Sequence, residues 1–179
     1  MATLRTPITK ADHVRGPDSA PITVVEYGDY QCPHCALAHP IVDQVQLHFG
    51  SRMRFVFRHF PLTEIHPYAG IAAESAEFAG ASGRFWDMHD ALFENQIHLS
   101  LPTIFVIAEQ LGLPETALRD ALQTGLYRDK VRGDFMSGIR SGVNGTPSFF
   151  INGVRHEGGY DYASLVAAIQ VRLGAATSA

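Results

Sequence analysis

Residues 22–35, ITVVEYGDYQCPHC, decide how this chain folds. The first six are mostly apolar and β-branched, which predicts a buried strand from Ile22 to Tyr27. A short loop follows, and the pattern becomes helical from Cys32. Pro33 fits the first helical position, where no backbone amide is needed. The sequence therefore places two cysteines, Cys32 and Cys35, where a strand passes into a helix.

These are the only cysteines in the 179 residues. A structural disulfide is the simplest alternative, but closing so short a loop gains only about 2 kcal/mol of stability in the chain-entropy model. The amides and dipole of a helix N-terminus favour a thiolate at Cys32, and His34 adds a nearby donor or partial positive charge. Such surroundings lower the pKa of a cysteine. The pair therefore predicts thiol–disulfide exchange, with Cys32 attacking and Cys35, expected to be more buried, resolving the mixed disulfide.

The rest of the chain predicts a mixed sheet with a helical insertion. A helix ending at Gly50 and a second strand from Met53 to Phe60 complete a βαβ unit, which predicts parallel pairing and a right-handed crossover. Residues 61–143 are helical in pattern. Asn152-Gly153 predicts a hairpin turn, and a last helix is expected over residues 160–173. We expect residues 1–21 to be an irregular lead-in and the tail 174–179 to fray.

Composition narrows the class of protein. The net charge is −4 with no basic run, which removes the electrostatic footprint of nucleic-acid binding. No apolar stretch approaches the roughly 18 residues that a membrane span needs. The first ten residues lack the apolar segment of a secretory signal. As it stands, the sequence therefore predicts a cytoplasmic location, and a periplasmic or extracytoplasmic one if a signal has been removed.

Three motifs, in this order, resemble those of DsbA-like thiol-disulfide oxidoreductases of the thioredoxin superfamily, the DsbA/FrnE type. They are VVEYGDYQCPHC at 24–35, FWDMH at 85–89 and GTPSFFING at 145–153. The sequence around these motifs most resembles that of stand-alone DsbA-like domains and of the thioredoxin-like domain appended to some sodium/proton antiporters. The resemblance covers residues 12–162. It implies one α/β domain over residues 1–179 with a thioredoxin fold: a central mixed sheet flanked by helices, with a core at about 14–62 and 143–173 and an all-helical insertion at about 63–142.

The resemblance also implies roles for individual residues. Cys32 would be the nucleophile and Cys35 its partner, while Pro33 and His34 form the dipeptide that tunes the redox potential. The substrates would be protein or peptide thiols and disulfides, and a separate redox partner would recycle the cysteine pair. Whether the protein acts as oxidase, reductase or isomerase stays open.

Thr146, Pro147 and Glu26 also match the family pattern. Thr146-Pro147 falls at a cis-proline loop that faces the cysteines and pairs with the substrate backbone. Glu26 matches a buried acid that handles protons near Cys35, and the alternative is an acid at a strand edge that reaches solvent. Asp29 is interpreted as a turn residue.

Competing interpretations rest on weaker patterns. Cys32, Cys35 and His39 would give three zinc ligands, but no second Cys-x-x-Cys completes a site. Haem attachment requires histidine at position 36, which is alanine. We expect no metal and no cofactor, and His59 and His66 are interpreted as surface or boundary residues. The alternative functions are a non-catalytic redox-sensing or chaperone-like peptide-binding module, and a glutathione-dependent transferase, for which no pocket is marked.

Overall fold

The computed structural model describes residues 2–176. Within that range the strands are β1 His13–Arg15, β2 Ile22–Gly28, β3 Met53–His59, β4 Ser148–Ile151 and β5 Val154–Arg155. The α-helices are α1 Pro33–Phe49, α2 Ala69–Gly80, α3 Phe85–Glu94, α4 Leu101–Gln110, α5 Glu115–Thr124, α6 Arg128–Arg140 and α7 Tyr162–Ala176, with 3-10 turns at Gly50–Arg52 and Gln96–His98. Part of the tail predicted to fray is helical up to Ala176, and 177–179 lies outside the described residues.

The five strands form one mixed sheet in the order β1-β3-β2-β4-β5. The pairs β1–β3, β2–β4 and β4–β5 are antiparallel. The remaining neighbours, β2 and β3, are therefore the parallel pair of this mixed sheet, as the predicted βαβ unit requires. Every residue of β2 except Thr23 is buried, which is the pattern of a strand covered on both faces.

The hairpin joining β4 and β5 confirms the turn predicted from Asn152-Gly153. Both residues have positive φ, 47° and 77°. A two-residue turn of this kind matches the twist of the flanking strands, and asparagine and glycine are the residues that tolerate it. The Asn152 side chain also accepts a hydrogen bond from the amide of Thr23 at 2.8 Å, which ties the turn to the start of β2.

β1 is the strand that the sequence did not predict, because residues 1–21 were expected to be irregular. An ion pair next to it involves the buried Arg58, which donates to both carboxylate oxygens of Asp12 at 2.7 and 3.1 Å. Arg58 also donates to the hydroxyl of Tyr27 at 3.0 Å. Burial opposes the charged form, but these hydrogen bonds outweigh it and raise the pKa of Arg58. The lead-in is therefore held to the sheet by the contact between Asp12 and Arg58, which are 46 positions apart in the sequence.

The chain divides into two compact units. The sheet unit comprises Met1–Gly28, Leu37–Arg58 and Ser137–Ala179, and the helical unit comprises Asp29–Ala36 and His59–Met136. The boundaries predicted for the core and the insertion stay a prediction. None of the helices described between residues 2 and 176 combines the length and the apolar character that a membrane crossing requires.

The helical unit has its own apolar core. Side chains three or four positions apart on successive helices are buried, as the amphipathic spacing predicts. They include Met88 and Leu92 of α3, Ile104 and Ile107 of α4 and Leu118 of α5. The segment that carries the two cysteines, Asp29–Ala36, belongs to the same unit.

Gly28, the last residue of β2, provides a test of the packing in the sheet. A Cβ at this position would lie 2.7 Å from Cζ of Phe57, a ring that is fully buried. We expect Gly28→Ala to lower the free energy of unfolding by about 1–3 kcal/mol, because the ring has no space to move into. Urea denaturation measures the change.

The matched control is Gly133→Ala in α6. A Cβ there meets no atom within 4 Å, and alanine is the better helix former by about 1 kcal/mol. The control variant should be as stable as the parent or more so. Equal destabilisation of both variants would contradict the packing described for Gly28.

Candidate active site

Cys32 caps the N-terminus of α1. Its carbonyl accepts hydrogen bonds from the amides of Cys35 at 3.0 Å and of Ala36 at 3.2 Å, which defines the N-cap position. Cys32 is 5% exposed and Cys35 is fully buried, so the expectation that Cys35 is the more buried is confirmed. Pro33 and His34, between them, are exposed. The amide end of the helix is therefore next to the less buried sulfur, where negative charge is most stable.

The sulfur of Cys35 has an amide donor of its own. The backbone N–H of Asp29 points to Sγ of Cys35 at 3.5 Å, and both residues are buried. A donor of this kind stabilises negative charge on a sulfur that leaves or attacks during exchange. The loop before the helix therefore places a backbone donor at the sulfur of Cys35.

The side chain of Asp29 anchors this loop. Its Oδ2 accepts from the amide of Leu62 and from Nδ1 of His66, both at 2.8 Å, and its Oδ1 accepts from the amide of Gln31 at 2.7 Å. The bond to Gln31 is the local turn contact that the sequence suggested. The bonds to Leu62 and His66 were not predicted, so the interpretation of Asp29 as a turn residue was incomplete.

Two glutamine side chains hold the rest of the loop. Gln31 accepts from the amide of Tyr68 at 2.8 Å. Gln96 donates through Nε2 to the carbonyls of Tyr30 at 2.8 Å and of Cys32 at 2.9 Å. The loop is thus held by polar contacts with two other segments of the helical unit, at Tyr68 and at Gln96. Nothing in the sequence marks Gln96, which lies 64 residues from Cys32.

The FWDMH motif supplies an aromatic support for the same loop. His89, from this motif, contacts the hydroxyl of buried Tyr30 through Nδ1 at 3.0 Å. The ring of Tyr30 also packs against Phe93 with a centroid separation of 4.9 Å. The motif therefore acts on the cysteine loop through Tyr30, a connection that the resemblance did not specify.

A second buried polar cluster lies at the end of β3. Nε2 of His59 contacts the carboxylate of Glu77 at 2.9 Å, and the backbone N–H of His59 donates to Asp134 at 3.2 Å. The ammonium of Lys130 lies 2.7 Å from Asp134 and 3.5 Å from Glu77. His59 is 1% exposed, so its interpretation as a surface or boundary residue was wrong. His66, with 16% of its side chain exposed, is a boundary residue as expected.

The remaining predicted site residues belong to the sheet unit. Glu26 is 3% exposed and pairs with Phe149 of β4, so the side chain is buried and does not reach solvent. The Thr146–Pro147 peptide bond is cis, as the resemblance implied. The hydroxyl of Ser148 donates to the carbonyl of Gly145 at 2.7 Å across this turn. The approach of Pro147 and Glu26 to the cysteines stays a prediction.

Metal binding at the cysteines gains no support. Among the described residues, neither Cys32 nor Cys35 belongs to a group of three side chains whose ligand atoms could hold one ion. His59, Glu77 and Asp134 do form such a group, but Lys130 lies against two of its carboxylates and already supplies positive charge.

The chain belongs to the thioredoxin family, whose model, described as thioredoxin, matches residues 8–171. Among curated proteins it is 46% identical over 158 residues to the Na(+)/H(+) antiporter NhaA 1 of Salinispora arenicola, which covers 88% of this chain and 24% of the antiporter. It is 36% identical over 159 residues to the Na(+)/H(+) antiporter NhaA of Herminiimonas arsenicoxydans, covering 89% and 25%. The chain therefore spans about a quarter of the length of the curated relatives it matches.

Solved structures confirm the thioredoxin fold of the DsbA-like type. Oxidised BdbD from Bacillus subtilis superposes with a TM-score of 0.86 at 25% identity, covering 97% of this chain and 98% of that one. Alpha-DsbA1 from Wolbachia pipientis superposes with a TM-score of 0.82 at 24% identity, covering 98% and 96%. The fold class predicted from the sequence is thus confirmed.

The three donors on Asp29 give a direct test of the loop anchor. We expect Asp29→Ala to lower the free energy of unfolding by about 1–3 kcal/mol, because three part-buried donors lose their acceptor. Urea denaturation measures the loss. Asp120→Ala, which removes an exposed carboxylate from α5, should change stability by no more than about 0.5 kcal/mol. Unchanged stability of the Asp29 variant would show that the loop is held by other contacts.

Proposed function

We propose that this chain is a thiol-disulfide oxidoreductase that exchanges disulfides with protein or peptide cysteines. The observation that carries the proposal is the position of Cys32 at the N-cap of α1 with buried Cys35 in the first turn of the same helix. A thiolate at the amide end of a helix is both stabilised and a good leaving group. A second thiol in the same turn resolves the mixed disulfide without any large movement.

The exchange balances within the two sulfur pairs. In the reducing direction, the thiolate of Cys32 attacks one sulfur of the substrate disulfide, the substrate S–S bond breaks, and its other sulfur leaves as a thiolate. Cys35 then gives up its proton and attacks Sγ of Cys32, which expels the second substrate sulfur. The substrate gains two electrons and the cysteine pair loses two. The reverse sequence transfers a disulfide to the substrate.

Residues around the pair take assigned roles in this proposal. Asp29 supports the charge on Cys35 through its amide, and Gln96 fixes the carbonyl of Cys32. Glu26, buried in β2, accepts the proton that Cys35 gives up. The turn at Thr146-Pro147 presents backbone for pairing with the substrate chain.

A redox partner must return the Cys32–Cys35 pair to its starting redox state. Which kind of partner does so depends on the compartment in which the protein acts. A glutathione-buffered cytosol favours reduction or isomerisation, and an oxidising compartment favours disulfide formation. The cytoplasmic location expected from the sequence stays a prediction. The antiporter relatives are matched over a quarter of their length, and ion transport is not proposed for this chain.

Replacing each cysteine in turn tests the assignment of roles. We expect Cys32→Ser to reduce insulin-disulfide reduction, driven by dithiothreitol, to the rate of dithiothreitol alone, because the attacking thiolate is lost. Cys35→Ser should instead accumulate a stable mixed disulfide with the peptide, visible by mass spectrometry, because the resolving thiol is missing.

Full activity after Cys32→Ser would exclude the proposed enzyme mechanism, in which Cys32 attacks the disulfide. It would favour a non-catalytic peptide-binding module. An adduct on Cys35 in the Cys32→Ser variant, with none on Cys32 in the Cys35→Ser variant, would reverse the two roles.

The exposed His34 provides a separate test through the redox potential. Removing its donor destabilises the Cys32 thiolate, and hence the reduced form. We expect His34→Leu to move the potential of the pair about 30 mV toward more negative values, which corresponds to about 1.4 kcal/mol. Equilibration with glutathione measures the potential. The control His98→Leu, at an exposed histidine outside the cysteine loop, should leave it unchanged, and a shift of equal size there would remove the special role of His34.

A further inference from the structure

The α6–β4 segment, residues 142–147, ends in the turn at Thr146-Pro147. The segment leaves α6 in a defined direction, because Gly142, with φ 82°, follows the last turn of the helix, and the amide of Val143 donates to the carbonyl of Gly138 at 2.9 Å. This is the pattern of a glycine-capped helix C-terminus. At the other end of the segment, β4 is paired with both β2 and β5. The turn therefore lies between two points where the backbone is held.

The side chain of Arg155, from β5, contacts the first half of the α6–β4 segment. Its Nη1 donates to the carbonyl of Gly142, and its Nη2 donates to Oδ1 of Asn144 at 3.0 Å. The two acceptors are two positions apart, directly before the turn at Thr146-Pro147. A guanidinium carries its donors in a rigid planar fork, so two bonds to one segment set the orientation of that segment as well as its position.

The backbone of Arg155 is itself held on both sides. Arg155 pairs with Phe150 of β4, and its amide donates to the carbonyl of Ala2 at 2.9 Å. Glu157, whose side chain is 63% exposed, lies 3.9 Å from Nε of Arg155, so the ion pair between them contributes little. The guanidinium is therefore carried on a fixed strand and directs its two terminal nitrogens at the α6–β4 segment.

We propose that Arg155 is a positioning residue for polypeptide substrates, which holds the turn at Thr146-Pro147 ready for them. It acts through its bonds to Gly142 and Asn144. The inference rests on the proposed function, in which this turn presents backbone to the substrate chain. Backbone pairing needs N–H and C=O groups that are in place beforehand, because ordering them during binding lowers the affinity. Arg155 therefore favours polypeptide disulfides over small ones and leaves the sulfur chemistry unchanged.

Two disulfides test the proposal on the full chain: a fluorogenic disulfide peptide, and bis(2-hydroxyethyl) disulfide, which has no peptide group. Arg155→Met keeps an apolar stem and removes both donors. We expect it to raise KM for the peptide about tenfold with kcat unchanged, as when the binding-competent arrangement falls to about a tenth of the population. The rate at which the reduced cysteine pair exchanges with the small disulfide, and the redox potential of the pair, should not change.

Hydrogen exchange separates a local effect from a loss of the fold. In Arg155→Met the amide of Thr146 should exchange faster with solvent, while the amides of β2 keep their protection. A loss of protection in β2 as well would show that Arg155 only stabilises the sheet, and it would overturn the positioning role.

A second variant removes one acceptor instead of the donors. Asn144→Ala, at an exposed position, should raise the peptide KM by a smaller factor than Arg155→Met. The double variant should resemble Arg155→Met alone, because the two side chains share one bond. The matched control Arg140→Met removes an exposed charge from the last turn of α6 and should leave the peptide KM unchanged.

An unchanged peptide KM in Arg155→Met, or an equal loss of exchange with both disulfides, would overturn the inference while the proposed function stands. A parent chain that exchanges with neither disulfide would contradict the proposed function, and the inference with it.

Discussion

The buried carboxylate of Asp29 is the contact on which the cysteine loop depends. It accepts from the amides of Leu62 and Gln31 and from the ring of His66, and its own amide reaches the sulfur of Cys35. A carboxylate taken out of water is stable only when several donors surround it. Two of these donors, the amides of Leu62 and Gln31, are backbone groups, which need an acceptor when they are removed from water. The cysteine loop and the segment that contains Leu62 and His66, both within the helical unit, therefore satisfy each other's polar groups.

This anchoring has a chemical consequence at Cys32. Thiol–disulfide exchange requires three sulfurs nearly in line, so the attacking sulfur must be held while its charge changes. Gln96 donates to the carbonyl of Cys32. Tyr30, two positions before Cys32, is held by its aromatic contact with Phe93. The amide end of α1 is thus presented in a fixed place before a substrate arrives. In the proposed exchange, these contacts with the loop would position Cys32 more than any single charge does.

The features that could be predicted from the sequence are those with local causes. The turn at Asn152-Gly153 and the helix beginning after Cys32 follow from the backbone preferences of a few adjacent residues, and the resemblance added the cis bond before Pro147. The features that were missed depend on distant partners. β1 lies next to the contact between Asp12 and Arg58, and Asp29 depends on His66, 37 positions away. The sequence around a polar residue does not indicate a contact with a distant partner. Without that partner, a polar residue that will be buried cannot be distinguished in the sequence from one that will be exposed.

Two acids on α2 show how the surroundings, and not the fold alone, determine whether a buried charge is compensated. Glu77 lies 2.9 Å from His59 and 3.5 Å from Lys130, whereas Glu74, one turn earlier, lies 3.8 Å from Arg128. The guanidinium of Arg128 lies beside Gly125, where a Cβ would come within 2.7 Å of Cζ. Gly125 has φ +66° and caps the C-terminus of α5 in the left-handed conformation, which glycine adopts without strain. Arg128 thus packs at the end of α5, whereas Lys130 lies close enough to contact Glu77. Two acids one turn apart on the same helix therefore differ in compensation because different cations lie beside them.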